Sequence, residues 1–107
     1  MKGLLMMATA AGAQKSKIGV TDIVNQGNSY ATLASTGLGG LAFIMAYNDS
    51  GGAQVTALVA WRAGSHSVIH ESDNTGLSVD YTTNGAALQI KTSSGTISGS
   101  CTYLISA

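Results

Sequence analysis

The chain has 107 residues, of which 45% are hydrophobic and only 9% are charged, and its formal net charge is zero. This length suits one domain, and the charge balance excludes the basic surface of a nucleic-acid-binding protein and a polybasic membrane patch. An ordinary soluble domain has about 25% charged residues, so we expect an oligomer, or a piece of a larger assembly, that hides apolar surface.

The N-terminal stretch MKGLLMMATAAGA combines a lysine, an apolar run and small residues at 11–13, as a short secretory signal does. We interpret it instead as part of a retained arm over residues 1–16, helical or extended, that precedes a β-sandwich domain over residues 17–107. A cleaved signal is the alternative. The stretch is shorter than the roughly 20 apolar residues that span a bilayer, so we predict no membrane insertion.

Turn signals punctuate the rest of the chain about every ten residues, which is the spacing of short antiparallel strands. Glycine and asparagine supply the positive backbone φ angles that tight turns require. The pattern therefore predicts an all-β protein, a small antiparallel β-sandwich of jelly-roll type. The turn signals are NQGN at 25–28, STG at 35–37, NDSGG at 48–52, RAGS at 62–65, SDNTG at 72–76, TTNG at 82–85 and SSG at 93–95.

Strands are predicted between these turns, beginning with KIGVTDIV at 17–24. The apolar runs at 41–47 and 53–61 are joined by NDSGG and predict a hairpin at the centre of the core. Neither face of the second run is strongly polar, so we expect this strand to be covered on both sides.

The segment SHSVIHESD at 65–73 holds both histidines of the chain. On a helix, His66 and His70 could bind zinc with Glu71 beside them, although their order is not that of zinc proteases. On a strand they share a face but lie about 13 Å apart, which is too far for one metal ion. The flanking turn signals favour a strand, so we predict exposed or interfacial histidines, no metal and no cofactor. The alternative is a trimer axis on which copies of His66 or His70 converge.

Three later segments, LSVDY, ALQIK and CTYLIS, alternate between polar and apolar residues as one-sided strands do. Asn84-Gly85, between the first two segments, is a strong hairpin signal. Cys101 is the one cysteine of the chain, which excludes an intrachain disulfide. We interpret it as a small buried hydrophobic residue and not as a reactive thiol.

Catalytic motifs are not evident. The chain has no GxSxG elbow, and GLGG at 37–40 lacks the lysine of a phosphate-binding loop. Turn hydrogen bonding is the favoured role for the carboxylates that could form a glycosidase pair, and we therefore predict that the protein is not an enzyme. These carboxylates belong to Asp22, Asp49, Glu71, Asp73 and Asp80.

The run TGLGGLAFIMAYNDSGGAQVTALVAW and the closing ALQIKTSSGTISGSCTYLISA resemble the C-terminal β-sandwich tips of bacteriophage tail fibres and tailspikes, over residues 30–107. The resemblance implies a homotrimer that is made in the host cytoplasm and incorporated into the virion beside other virion proteins. It implies a fibre or spike tip that binds a host surface glycan or protein. A short arm and a small domain also suit a capsid decoration protein that stabilises the head. A secreted carbohydrate-binding module is the third alternative.

Surface-binding residues are expected among aromatic and polar side chains at strand ends and turns. For Trp61 the favoured alternative is a core position, because it shares a face with Val59. For Arg62 an ion pair with Glu71 or Asp73 of another subunit is as well supported as a ligand contact. The candidates are Tyr47, Trp61, Arg62, His66, His70 and Tyr81.

Overall fold

The structure, a computed structural model, describes residues 16–35, 38–72, 77–93 and 95–106. The described part folds into eight β-strands, and none of it is helical. The predicted arm lies outside the described residues except for Ser16, which begins the first strand, and its boundary stays a prediction. No described helix is long and apolar enough to cross a membrane. The strands are β1 (Ser16–Gln26), β2 (Ala31–Ser35), β3 (Gly39–Asn48), β4 (Gln54–Arg62), β5 (Ser65–Glu71), β6 (Val79–Asn84), β7 (Ala87–Thr92) and β8 (Ile97–Ser106).

The strands form two antiparallel sheets, which confirms the predicted β-sandwich. The large sheet has the order β1-β8-β3-β4-β5, and the small sheet has the order β2-β7-β6. First and last strands pair in one sheet, and the next strands inward, β2 and β7, pair in the other. This nesting is similar to that of a jelly roll, although the strands divide five and three between the sheets.

The core lies between the two sheets and is built from alternate residues of their strands. Ile44 and Val59 of the large sheet and Leu88 and Ile90 of the small sheet are fully buried there. Alternation is the expected pattern where one face of a strand packs and the other does not. Because the small sheet has fewer strands than the large one, strand β5 remains exposed along its whole length.

The predicted central hairpin is confirmed as β3 and β4, with Phe43 opposite Leu58. The expectation that β4 is covered on both sides is wrong for the chain by itself. Val59 is fully buried on the inner face, whereas Thr56, Leu58 and Ala60 on the other face are only half-buried. The outer side of the large sheet is therefore largely apolar, and no described strand covers it.

The hairpin between β6 and β7 is also confirmed, with its turn centred one residue later than Asn84-Gly85. Asn84 pairs with Ala87, so Gly85 and Ala86 are the turn residues, and Gly85 has φ 60°. A glycine at the first central position is the requirement of a type II′ turn, whose twist matches that of the strands.

This turn holds the two sheets together at one end of the sandwich. The backbone N–H of Gly64, in the β4–β5 turn, donates to the Gly85 carbonyl at 3.1 Å. The Trp61 indole Nε1 donates to the Ala86 carbonyl at 2.9 Å. We call this end, with its two hairpin turns, the turn end.

Strand β2 has no alternation of polar and apolar residues that would predict it. Leu33 and Ala34 are both buried although they are consecutive. The register with β7 shifts between Thr32 and Ala34, and such a bulge turns two neighbouring side chains toward the same side. A period of two does not reveal a strand of this kind.

Candidate functional site

Strand β5 is the edge of the large sheet and carries both histidines. All seven of its residues are exposed, on both faces of the strand. It hydrogen-bonds β4 on one side, and no described strand pairs with its other side. Its side chains and its free edge are therefore both accessible to a partner.

A bulge in β5 changes the predicted geometry of the histidines. His70 lies opposite Leu58 and His66 lies opposite Trp61, with a register shift between Leu58 and Val59. Leu58 and Trp61 point to opposite faces of β4, and directly opposed residues share a face, so the two imidazoles lie on opposite faces. The expected shared face is wrong, because the bulge adds one residue between the histidines.

The two histidines of one chain therefore do not present a common metal-binding face. Among the described residues there is no group of three or more His, Cys, Asp or Glu side chains that could hold a metal ion. The trimer-axis alternative for His66 or His70 stays a prediction, as do the predictions of no metal and no cofactor.

Trp61, Arg62 and His66 come together at the turn end. They line a depression of about 260 Å³ with Ala60, Ser65 and Ser67. Arg62 is exposed there and makes no ion pair within the described ranges. The guanidinium remains available to a ligand or to another subunit.

Trp61 and Tyr81 are buried, and this corrects their proposal as surface contacts. Trp61 is 4% exposed and Tyr81 is 8% exposed, and both belong to the core. The structure places Trp61 in the core, which is the alternative that the sequence favoured. Tyr81 lies in the inner row of the small sheet opposite Ile90, on the apolar face that the alternation of LSVDY predicts.

The Tyr81 hydroxyl is buried and makes no hydrogen bond of normal geometry among the described residues. Burial raises the pKa of this phenol above its ordinary value, and the nearby Glu71 carboxylate raises it further. Burial likewise raises the pKa of the Cys101 thiol to about 12. Cys101 is fully buried, which confirms its interpretation as a small hydrophobic residue.

Tyr47 lies on the outer side of the large sheet, far from the other candidates. It is eight residues along β3 from Gly39, the partner of Arg62, which places it about 27 Å from that end of the sheet. We call the outward-pointing side of the large sheet the outer face. Its exposed apolar side chains on β1 and β3 include Ile18, Val20, Leu41, Phe43, Met45 and Tyr47.

The outward side of the small sheet is polar, and its residues were not among the predicted candidates. The Lys91 ammonium lies 4.8 Å from the centre of the Tyr30 ring, and the Gln89 amide donates to the Thr32 hydroxyl at 3.3 Å. The polar positions of ALQIK were visible in the sequence. Their contacts with Tyr30 and Thr32 depend on the pairing of β2 with β7, which the sequence pattern did not predict.

Asp49 is used in a contact between two loops. Its carboxylate accepts a hydrogen bond from the Thr96 hydroxyl at 2.7 Å, and its backbone N–H donates to the Thr96 carbonyl at 3.0 Å. The hydrogen bond within its own turn that was expected for this carboxylate is replaced by one to a distant loop.

Comparisons with known proteins add one structural likeness. No family model matches the chain, and no curated protein matches its sequence. Among solved structures, the chain is similar to part of the tailspike protein gp49 of Acinetobacter baumannii bacteriophage Fri1, a capsular polysaccharide depolymerase. The identity is 13% and the TM-score is 0.46. The match covers 88% of this chain and 18% of the tailspike chain.

The prediction that the protein is not an enzyme is contradicted by this likeness, because the tailspike is described as a depolymerase. We withdraw that prediction. The shared part is a small share of the tailspike, so the activity of the whole tailspike is not assigned to this chain.

Proposed function

We propose that this chain is a structural component of a bacteriophage particle, incorporated after synthesis in the host cytoplasm, and that it binds the host-cell surface as a fibre or spike tip. The sequence resemblance over residues 30–107 supports this role. The antiparallel sandwich agrees with the architecture that the resemblance implies. In the particle its partners are other copies of itself, as a homotrimer, and other virion proteins.

The exposure of strand β5 is the observation that carries the binding role. Serine hydroxyls and histidine imidazoles both donate and accept hydrogen bonds, and they stand on both sides of this strand. The free edge adds a row of backbone donors and acceptors. The hydroxyl groups of a glycan, or an extended segment of a host protein, are matched by this combination.

Three copies of β5 on one trimer strengthen such a contact. A single strand offers few buried contacts, so one site binds weakly. Linked sites bind together because each bound site holds the next one near its ligand, and the overall affinity rises by orders of magnitude without any new contact. A repetitive surface polymer is the kind of ligand that benefits most.

The binding role is tested with purified protein, host cells and an array of bacterial surface glycans. We expect His66→Ala and His70→Ala each to weaken binding about tenfold, the loss expected for one or two hydrogen bonds. Thr82→Ala, on the small sheet, is the matched control and should bind like the wild type. Binding that survives the loss of both histidines would contradict the role of β5.

A decoration role is favoured by a different feature, the apolar outer face. Electron microscopy of the virion with an antibody to this chain separates the two roles. Label at the ends of fibres or spikes supports the tip, whereas label spread over the head supports decoration and would overturn the proposed tip.

A further inference from the structure

The outer face has a regular arrangement that follows from the strand register. Directly opposed residues of antiparallel strands share a face, so the pairings define rows that run across the sheet. One row contains Ile18, Leu104, Leu41, Ala60 and Ser67. The next contains Val20, Thr102, Phe43, Leu58 and His70.

These rows form a continuous apolar patch on the outer face. Phe43 is 45% exposed, Met45 is 52% exposed and Ile18 is 75% exposed. A shallow depression of about 240 Å³ lies among Ile18, Leu41, Phe43, Leu58 and Leu104. A contiguous apolar patch on a protein with so few charges marks a surface that another molecule covers.

Two opposite formal charges lie at the margins of this patch. Asp22 is in the row of Ser100 and Met45, on β1, and Arg62 is in the row of Gly39, on β4. Both side chains are exposed. Among the described residues they are the only acidic residue and the only Lys or Arg on the outer face, and they lie at diagonally opposite corners of the patch.

We propose that a second copy of this chain covers the outer face, with Asp22 of one copy facing Arg62 of the other. The apolar centres of the two faces pack against each other, and the acidic margin of each copy meets the basic margin of the next. Closed assemblies of identical chains form in this way, because one surface carries both halves of the contact. Arg62 is thereby assigned to the contact between copies, whereas the free edge of β5 and the side that carries His66 are left for the host surface.

Other occupants fit this face less well. A glycan requires many hydrogen-bonding groups, and the two central rows offer the side chains of Thr102, Ser67 and His70, of which the last two lie at the edge strand. An anionic lipid surface attracts several basic residues, and this face has Arg62 balanced by Asp22. A second copy of the chain fits better. Its outer face is equally apolar, requires few hydrogen bonds at its centre, and carries one acidic and one basic residue that can pair with the basic and acidic residues of the first copy.

The apolar part of the contact is tested with Phe43→Lys, measured by light scattering after size exclusion and by sedimentation over the micromolar range. We expect a folded monomer, with a dissociation constant raised about 30-fold or more, as for the loss of a central contact residue. Val68→Lys is the matched control, since Val68 is 41% exposed on the edge strand and lies opposite Val59, on the other side of the sheet, and it should leave the oligomer intact. An oligomer that tolerates Phe43→Lys would overturn the proposal. If Phe43→Lys does not fold, Met45→Lys takes its place.

The charged part is tested by exchange. Asp22→Arg and Arg62→Asp should each weaken association about fivefold, and the double variant should restore it because the pair is then reversed between copies. The absence of restoration would show that these side chains do not face each other.

This inference rests on the proposed function only in requiring more than one copy. A wild-type chain that is monomeric throughout the micromolar range would overturn both this inference and the homotrimer. A stable dimer would contradict the homotrimer and leave the outer-face contact standing. Loss of host binding in the His66→Ala variant, with the oligomer unchanged, would separate the two surfaces.

Discussion

At the scale of single residues, burial determines what the chemically active side chains can do. Cys101 and Tyr81 both carry ionisable groups, and both lie in the core. In each case burial penalises the charged form and raises the pKa. Neither group is suited to act as a nucleophile at neutral pH, because each remains protonated.

The Cys101 pKa leads to a prediction for alkaline solution. The thiol ionises near its ordinary value of 9.0 in the unfolded chain and only near about 12 in the folded one. The unfolded state therefore releases a proton first, so the stability from this group is complete below pH 9 and is lost as the pH rises toward 12. We expect the free energy of unfolding of the wild type to fall more steeply than that of Cys101→Ala, by up to about 1.4 kcal/mol per pH unit. Urea titrations at several alkaline pH values measure the difference, and equal slopes would contradict the prediction.

Removal of the Trp61 indole should weaken the turn end. Trp61→Phe removes the donor to the Ala86 carbonyl and leaves space in the core, and we expect a loss of about 2 kcal/mol in the free energy of unfolding. Tyr81→Phe is the control, because it removes a buried hydroxyl that has no hydrogen bond of normal geometry in the described structure. Its stability should be unchanged or slightly higher. Chemical denaturation compares the two variants, and an equal loss in both would contradict the role of the indole bond.

At the scale of elements, turn geometry and strand register position the surfaces. Gly85 has φ 60°, and no atom lies within 4 Å of the position that a Cβ would take there. The cost of a side chain at this position is therefore conformational and not a collision. Gly52, in the β3–β4 loop, has the same open space without a positive φ.

This pair of glycines gives a matched test of the β6–β7 turn. We expect Gly85→Ala to lower the free energy of unfolding by about 1 to 2 kcal/mol, the cost of a left-handed conformation for a residue with a Cβ. Gly52→Ala should change it by less than about 0.5 kcal/mol. Thermal or urea unfolding measures both variants, and a Gly85→Ala variant as stable as Gly52→Ala would contradict the turn assignment.

The elements also show where sequence patterns are informative. Regular alternation predicts the β3–β4 hairpin and the strands β1, β7 and β8, because each has one buried face. Bulges are different, since one extra residue reverses every side chain beyond it. The bulge in β5 separates His66 from His70, and the bulge in β2 hides that strand. The alternation of LSVDY places Tyr81 on the apolar face of β6, away from Asp80, so its burial follows from the pattern.

At the scale of the whole molecule, the two sides of the sandwich differ in character. The small sheet presents polar side chains, and the large sheet presents an apolar outer face. The low charge content predicts a hidden surface, and the outer face is where we propose that it lies. The number of copies that hide it is not contained in one chain, because it depends on the angle between neighbouring copies.

Self-association should make the thermal stability depend on concentration. Dilution favours the separated chains, so we expect the Tm of the wild type to fall by about 3 °C per tenfold dilution. The monomeric Phe43→Lys variant should show no such dependence. Scanning fluorimetry over a dilution series measures both, and a constant Tm for the wild type would contradict association through any surface.

The pairing of β1 with β8 has a mechanical consequence. The first pair of this ladder is Ser16 with Ser106, so the two ends of the described fold lie side by side. Tension between them acts along the hydrogen bonds, which run across the strands, and loads only the pair nearest the ends. The ladder then opens like a zipper, one pair after another, at low force. Tension between Ser16 and the loop at Ser50 is instead applied at well-separated points and loads many hydrogen bonds at once. We therefore expect the sandwich to unfold at low force in the first pulling direction and at high force in the second.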